Sequence, residues 1–226
     1  MGVTIEKIIL TNYKRFENLT ILPNERKNIL VGDNEVGKSS IIDAIDLVAM
    51  GSVRRVESIG LDRLLNINSI KKFEETRKYE DLPEMKIELF LSGAFAHTMN
   101  GKNNSLGVKA DGIRLVCAPD DHYITEINDY ISSGMQVFPY EYYRIRFSTF
   151  ADESYSTYKR KLKTVLINNT NMSSTHATND FIERMYNQYT EDSLLERLEH
   201  SSQYRQMKFN FCQNHLAKLN QRVPSR

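Results

Sequence analysis

Much of the first two thirds of the chain has the pattern of apolar and polar residues that is typical of β-strands. Short apolar runs or strict alternation predict strands over residues 4–10, 19–22, 28–31, 83–91, 113–117, 139–150 and 162–167. Near the end of this series, Tyr143, Ile145 and Phe147 fall on one face of a strand, with Arg144 and Arg146 on the other. The pattern therefore predicts a sheet with a face packed against a core.

Helical spacing of apolar residues occurs in two places. Residues 40–48 follow the third predicted strand and form the first predicted helix. From Thr178, a suitable N-cap, to about Asn220 the chain has no Pro or Gly, which predicts one helix or two. Between these regions, residues 51–82 are polar and predict a loop with a short helix, and Asn-Gly and Asp-Gly pairs within residues 97–112 predict hairpin turns.

A glycine-rich loop joins the third predicted strand to the first predicted helix. Gly32, Gly37, Lys38 and Ser39 complete a G-x-x-x-x-G-K-S pattern. The glycines let successive backbone N–H groups point at one anion, and a helix N-terminus favours negative charge. Lys38 would reach the β- and γ-phosphates of a nucleotide, and the Ser39 hydroxyl would hold Mg²⁺. The predicted nucleotide contacts are Gly32, Asp33, Asn34, Glu35, Val36, Gly37, Lys38, Ser39 and Ser40.

Composition limits which partners and which cellular compartment fit this site. The 226 residues carry a formal net charge of +1, so any nucleic-acid surface has to be a local basic patch, such as the run over residues 159–163. A solvated strand end explains that run more simply, because the net charge is so near zero. No apolar stretch is long enough to span a membrane, and the first residues lack the apolar core of a signal peptide. The two cysteines do not form a disulfide framework, and we expect a cytoplasmic protein without membrane association.

Two segments resemble a known group of ATPases. Residues 8–16, with Asn12, Tyr13 and Lys14 at their centre, and residues 31–45 are similar to the opening of SMC/RecF-type ABC ATPases. Within that group they resemble most the OLD (overcoming lysogenization defect) family of ATP-dependent nucleases. The later D-x-x-G and N-K-x-D motifs that a GTPase needs are absent from the sequence.

The resemblance implies a fold and further site residues. The implied fold is α/β, the N-terminal lobe of a P-loop ABC-type ATPase, with a mixed sheet opened by a β-hairpin and a C-terminal helical arm. The implied domains are the lobe, residues 1–172, and a helical extension, residues 173–226. ATP and Mg²⁺ are the implied ligands. Lys14 would approach the nucleotide phosphates or remain a solvated lysine, and Asp62 would lie beside the metal or cap a helix.

Parts of such an ATPase are missing from the sequence. We find neither an L-S-G-G-Q-like signature nor an apolar strand that ends in Asp-Glu, and Asn168 and Asn169 follow the nearest candidate strand. An amide cannot act as a general base. We therefore expect no catalytic residue here, little ATP hydrolysis by this chain alone, and a homodimer formed through the nucleotide site.

Three functions remain open at this point. The first is the ATP-binding lobe of an OLD-like DNA endonuclease, from phage defence or a mobile element, whose Toprim-type nuclease domain would follow. The second is the lobe of a RecF/SMC-type DNA-repair ATPase without a nuclease. The third is a regulatory module that binds nucleotide without hydrolysing it. In the first two, the full-length protein would act on DNA.

Overall fold

The computed structural model describes residues 3–33, 36–93, 98–134, 137–156 and 162. All of them lie in one compact unit, Met1–Thr164. Apart from Leu162, the strand predicted over residues 162–167 lies outside the described residues. The same is true of the basic run, the helix predicted from Thr178 and the proposed domain boundary after residue 172. These stay predictions.

The framework of the described unit is a six-stranded sheet. Its strands are β1 (Thr4–Tyr13), β2 (Phe16–Ile21), β3 (Met85–Ser92), β4 (Asn100–Gly101), β5 (Ala110–Pro119) and β6 (Tyr143–Thr149). They run in the order β2-β1-β3-β5-β4, and β6 also pairs with β5. The opening hairpin is confirmed, but every strand pairing in the described part is antiparallel. The prediction of a mixed sheet is therefore wrong for the described residues.

The third predicted strand does not form. Residues 28–31 belong to no strand, and the side chains of Ile29 and Val31 are 70% and 88% exposed. A strand needs a neighbour to accept its backbone hydrogen bonds, and no described segment lies beside this one in the sheet. The local pattern is that of a strand, but pairing is a non-local property that the local pattern cannot supply.

Five α-helices accompany the sheet in the described part. They are α1 (Lys38–Met50), α2 (Val53–Ile59), α3 (Leu61–Leu64), α4 (Ile67–Thr76) and α5 (Ile124–Ser132). The first predicted helix is thus confirmed and is longer than predicted. Residues 51–82, predicted as a loop with a short helix, contain three helices. Two of these begin at side-chain caps, because Ser52 accepts a hydrogen bond from the N–H of Arg55 and Asn66 accepts from those of Asn68 and Ser69.

Helix α1 is packed against one face of the sheet. Its Ala44, Leu47 and Val48 are buried in the same apolar cluster as Leu10 of β1 and Leu89 of β3. A much smaller cluster on the sheet joins Phe90 and Phe150, whose ring centroids are 4.7 Å apart, to Ile9. Burial of these α1 side chains fixes the axis of the helix on the sheet. It therefore also fixes the position of the glycine loop at the N-terminus of α1.

The tip of the β1–β2 hairpin is held by the junction between α3 and α4. The backbone N–H of Lys14 donates to the carbonyl of Leu64 at 2.6 Å, and the Asn66 amide donates to the carbonyl of Lys14 at 2.8 Å. The Asn12 amide donates to the carbonyl of Glu84 at 2.9 Å and accepts from the Ser69 hydroxyl at 2.6 Å. The position of the tip is therefore set by hydrogen bonds from two sides.

Replacement of Asn12 by alanine should lower the free energy of unfolding by about 1–3 kcal/mol. The change removes both side-chain hydrogen bonds and places alanine at φ 50°, a left-handed conformation that asparagine tolerates better. Urea denaturation followed by circular dichroism measures the loss. Asn18→Ala is the control, since Asn18 is exposed on β2 and makes no side-chain hydrogen bond with the described residues. Equal losses in the two variants would contradict the anchoring role of Asn12.

Candidate functional site

The glycine loop, residues 32–39, leads into the first turn of α1. Gly37 is the N-cap, with φ 95° in the left-handed region, and no side chain caps the helix. No acidic residue lies in the first turn either. The first backbone N–H groups of this turn have no partner inside the helix, and no described side chain occupies them, so they can face an external anion. Asn34 and Glu35 lie outside the described residues, so their predicted contacts stay predictions.

The Lys38 side chain bridges the loop. Its Nζ donates to the carbonyl oxygen of Gly32 at 2.5 Å and to that of Asp33 at 2.6 Å. These bonds join the incoming limb of the loop to the start of α1. An ammonium group has three donors, so one is left for a ligand oxygen. The arrangement fits a phosphate group, since it combines a fixed positive charge with open N–H groups.

Ser39 and Ser40 follow Lys38 on the first turn. Ser39 is exposed, and Ser40 is half-buried. The Ser39 hydroxyl makes no hydrogen bond with the described part of the chain, so its oxygen is available to a cation at the loop. Oxygen is the ligand atom that Mg²⁺ prefers. The exposed Ser39 hydroxyl therefore fits the magnesium-ligand role that the loop pattern predicts, and that role stays a prediction.

The Lys14 side chain contacts α1, the helix that follows the glycine loop. Its Nζ lies 2.9 Å from Oδ2 of Asp43 on α1. Asp43 is four residues after Ser39, so the two share one face of the helix. The same carboxylate acts on Tyr13, whose pKa is raised by burial and further by the charge of Asp43. The structure thus brings Lys14 to the face of α1 that carries Ser39, with its charge paired to Asp43.

Asp62 is not joined to this group by any contact of the described residues. It is exposed in the first turn of α3. Its charge adds to the effect of burial in raising the pKa of Tyr140. Among the described residues there is no cluster of three or more His, Cys, Asp or Glu side chains that could hold a metal ion. The metal-side role of Asp62 stays a prediction without a structural contact behind it.

The structure adds Arg15 and Phe16 to the candidate site. A methyl group on Gly37 would lie 2.5 Å from Cζ of Phe16 and 2.7 Å from Cδ of Arg15. The hairpin tip therefore packs directly on the end of the glycine loop. The sequence gives two basic residues at the turn, but only the tertiary contact shows which of them touches the loop.

Two other kinds of site have no support in the described part of the chain. Cys117 is fully buried in the core, and burial raises the pKa of its thiol to about 12. A thiol of that kind stays protonated and is a poor nucleophile. No described helix combines the length and the hydropathy that a membrane span requires.

Together the bridged glycine loop, the uncapped start of α1 and the sheet behind it form a candidate nucleotide site of the ATPase class. Comparison with known families agrees with this class. The chain belongs to the AAA ATPase domain family AAA_15, whose model matches residues 4–223. An ATPase domain implies nucleotide binding.

One curated relative indicates the type of ATPase. The chain is 27% identical over 113 residues to the DNA replication and repair protein RecF of Ruminiclostridium cellulolyticum. The match takes in 41% of this chain and 30% of the relative, so it spans less than a third of the RecF protein. It supports an ATPase domain of RecF type, in agreement with the wider group that the opening motifs resemble.

Proposed function

We propose that this chain is the ATP-binding lobe of a RecF-type ATPase that acts on DNA. The observation that carries the proposal is the Lys38 bridge across the glycine loop, with a third donor that no described residue accepts from. The bridge lies at a helix start that no described side chain caps. The bridge holds Gly32 and Asp33 against the start of α1, so these two residues need not be ordered when phosphate binds.

Each residue of the loop has a part in the proposed site. Backbone N–H groups over residues 33–40 would surround the phosphates, and Lys38 would hold the β- and γ-phosphates. Ser39 would supply a hydroxyl oxygen to Mg²⁺, and the ion would offset phosphate charge. Lys14 would approach from the hairpin side, held in place by Asp43. These groups bind and orient a nucleotide.

The proposed site is half of a hydrolytic centre. In its described part the loop is open to solvent, with Val36 50% exposed and Asp33 exposed. The described residues contain no group of carboxylates suited to a second set of metal ligands. A second subunit can cover the exposed side of such a site. We therefore propose a homodimer with ATP at its interface.

The relation to DNA rests on the RecF relative and on the opening motifs. The relative's name describes replication and repair of DNA, which supports a DNA-repair ATPase as the first form of the proposal. The OLD resemblance supports the alternative of an ATP-dependent endonuclease in phage defence. Both forms use the same nucleotide lobe and differ in whether a nuclease domain acts with it.

Calorimetric titration of the full 226-residue chain with Mg·ATP tests the proposal. We expect saturable binding together with slow phosphate release. Absence of binding at millimolar Mg·ATP would contradict the nucleotide site itself. Light scattering of the same samples tests the dimer, whose fraction should rise with Mg·ATP.

A second candidate, a regulatory module that binds nucleotide without hydrolysis, is favoured by the amides Asn168 and Asn169 that follow the last predicted strand. Tight Mg·ATP binding with a constant monomer mass and no phosphate release would support this module over the ATPase lobe.

A further inference from the structure

We propose that Arg15 is an additional phosphate ligand of the nucleotide site, because its side-chain stem rests on Gly37 at the end of the glycine loop. This inference rests on the proposed function and adds a residue to it. Neither the loop motif nor the Asn12-Tyr13-Lys14 resemblance assigns a role to Arg15.

The hairpin geometry brings Arg15 to the loop. Tyr13 pairs with Phe16 across the turn, so residues 14 and 15 form its tip. Cδ of Arg15 would be 2.7 Å from a methyl group on Gly37, which means that the stem is in contact with the loop backbone. The terminal nitrogens of arginine are three bonds beyond Cδ. The guanidinium is therefore within reach of an anion that the loop N–H groups hold.

Charge pairing separates the three basic residues near the loop. Lys14 forms an ion pair with Asp43, and Lys38 donates two hydrogen bonds to the carbonyls of Gly32 and Asp33. Arg15 is exposed and makes no hydrogen bond or ion pair with the described residues. Of the two charges at the hairpin tip, that of Lys14 is offset by Asp43, and no described carboxylate offsets that of Arg15.

The chemistry of the guanidinium suits this place. Its planar set of donors binds two phosphate oxygens at once, and it is charged at every pH of interest. A charge-assisted hydrogen bond to phosphate is roughly twice as strong as a neutral one. Bound ATP would place several negative oxygens beside an arginine whose donors no described residue occupies.

The test compares Mg·ATP affinities of the full chain by calorimetry. Arg15→Ala should weaken binding about tenfold to a hundredfold. Arg15→Met keeps an unbranched apolar stem on Gly37 but removes the charge, and it should lose as much affinity as alanine. Arg15→Lys should lie between these variants and the wild type, because lysine keeps the charge but not the planar set of donors.

The matched control is Arg54→Ala. Arg54 is an exposed arginine on α2, beyond the far end of α1, and about 20 Å from the loop along that helix. We expect its variant to bind Mg·ATP like the wild type. The thermal unfolding midpoint of each nucleotide-free variant should stay close to that of the wild type, which separates loss of a ligand contact from loss of fold.

The outcomes distinguish this inference from the proposed function. Wild-type affinity for Mg·ATP in Arg15→Met, or equal affinities in Arg15→Ala and Arg54→Ala, would overturn the role of Arg15. If Lys38→Ala still lost binding in the same experiment, the proposed nucleotide site would stand without Arg15. If Lys38→Ala also bound Mg·ATP like the wild type, the nucleotide site itself would be wrong.

Discussion

Replacement of Lys38 by alanine is expected to weaken Mg·ATP binding by about a hundredfold or more. The change removes the ammonium that would hold the β- and γ-phosphates, and a hydrogen bond to a charged group contributes about 1.5–3 kcal/mol. It also removes the two bonds by which Lys38 joins Gly32 and Asp33 to the start of α1. Both losses act in the same direction, so this variant should show the largest effect on binding.

Calorimetry with Mg·ATP measures the loss, and Lys102→Ala is the control. Lys102 is an exposed lysine in the hairpin that joins β4 to β5, on the opposite side of the sheet order from β2. Its variant has the same change of charge and should bind with the affinity of the wild type. Unchanged affinity in Lys38→Ala would remove the basis of the proposed nucleotide site.

Replacement of Gly37 by alanine should both destabilise the protein and weaken nucleotide binding. Alanine at φ 95° is strained, which costs about 1–2 kcal/mol. The new methyl group would also collide with the Phe16 ring and the Arg15 stem, which would have to move away from the loop. We expect a total loss of about 2–4 kcal/mol in the free energy of unfolding and at least a tenfold loss of Mg·ATP affinity.

Gly134→Ala separates strain from collision. Gly134 has a similar φ of 86°, and a methyl group there would meet no atom of the described residues within 4 Å. Its variant should lose only the strain energy, about 1–2 kcal/mol, and keep its affinity for Mg·ATP. Urea denaturation and calorimetry on the two variants give both quantities. Equal stability losses in the two would show that the hairpin does not press on the loop.

The sequence predicts the elements whose signal is local. The opening hairpin, α1 and strands β3, β5 and β6 follow from periodicities of two and 3.6 residues. The polar segment after α1 is harder, because its helices are short and expose most of their surface. In α4 of this segment only Ser69, Ile70 and Phe73 are buried, and α5, outside the segment, likewise buries only Ile127 and Ile131. Such sparse apolar spacing is difficult to distinguish from that of a loop.

Pairing and contacts between distant residues could not be predicted. Residues 28–31 have the composition of a strand, yet the described part of the chain offers them no neighbour. The glycine loop was predictable because its chemistry is contiguous in sequence. The contact of Arg15 with Gly37 joins residues 22 positions apart, and it depends on how the α3–α4 junction holds the hairpin tip.

The two bonds of Lys38 have a consequence for the energetics of binding. Since residues 28–31 are not part of the sheet, the incoming limb of the loop depends on these bonds for a tie to α1. The bonds hold Gly32 and Asp33 beside the Lys38 ammonium, which would also hold the phosphates. The entropic cost of holding Gly32 and Asp33 in place is therefore met when the protein folds, and that part of the binding energy can go into affinity. Lys38 is in this sense part of the scaffold as well as of the site.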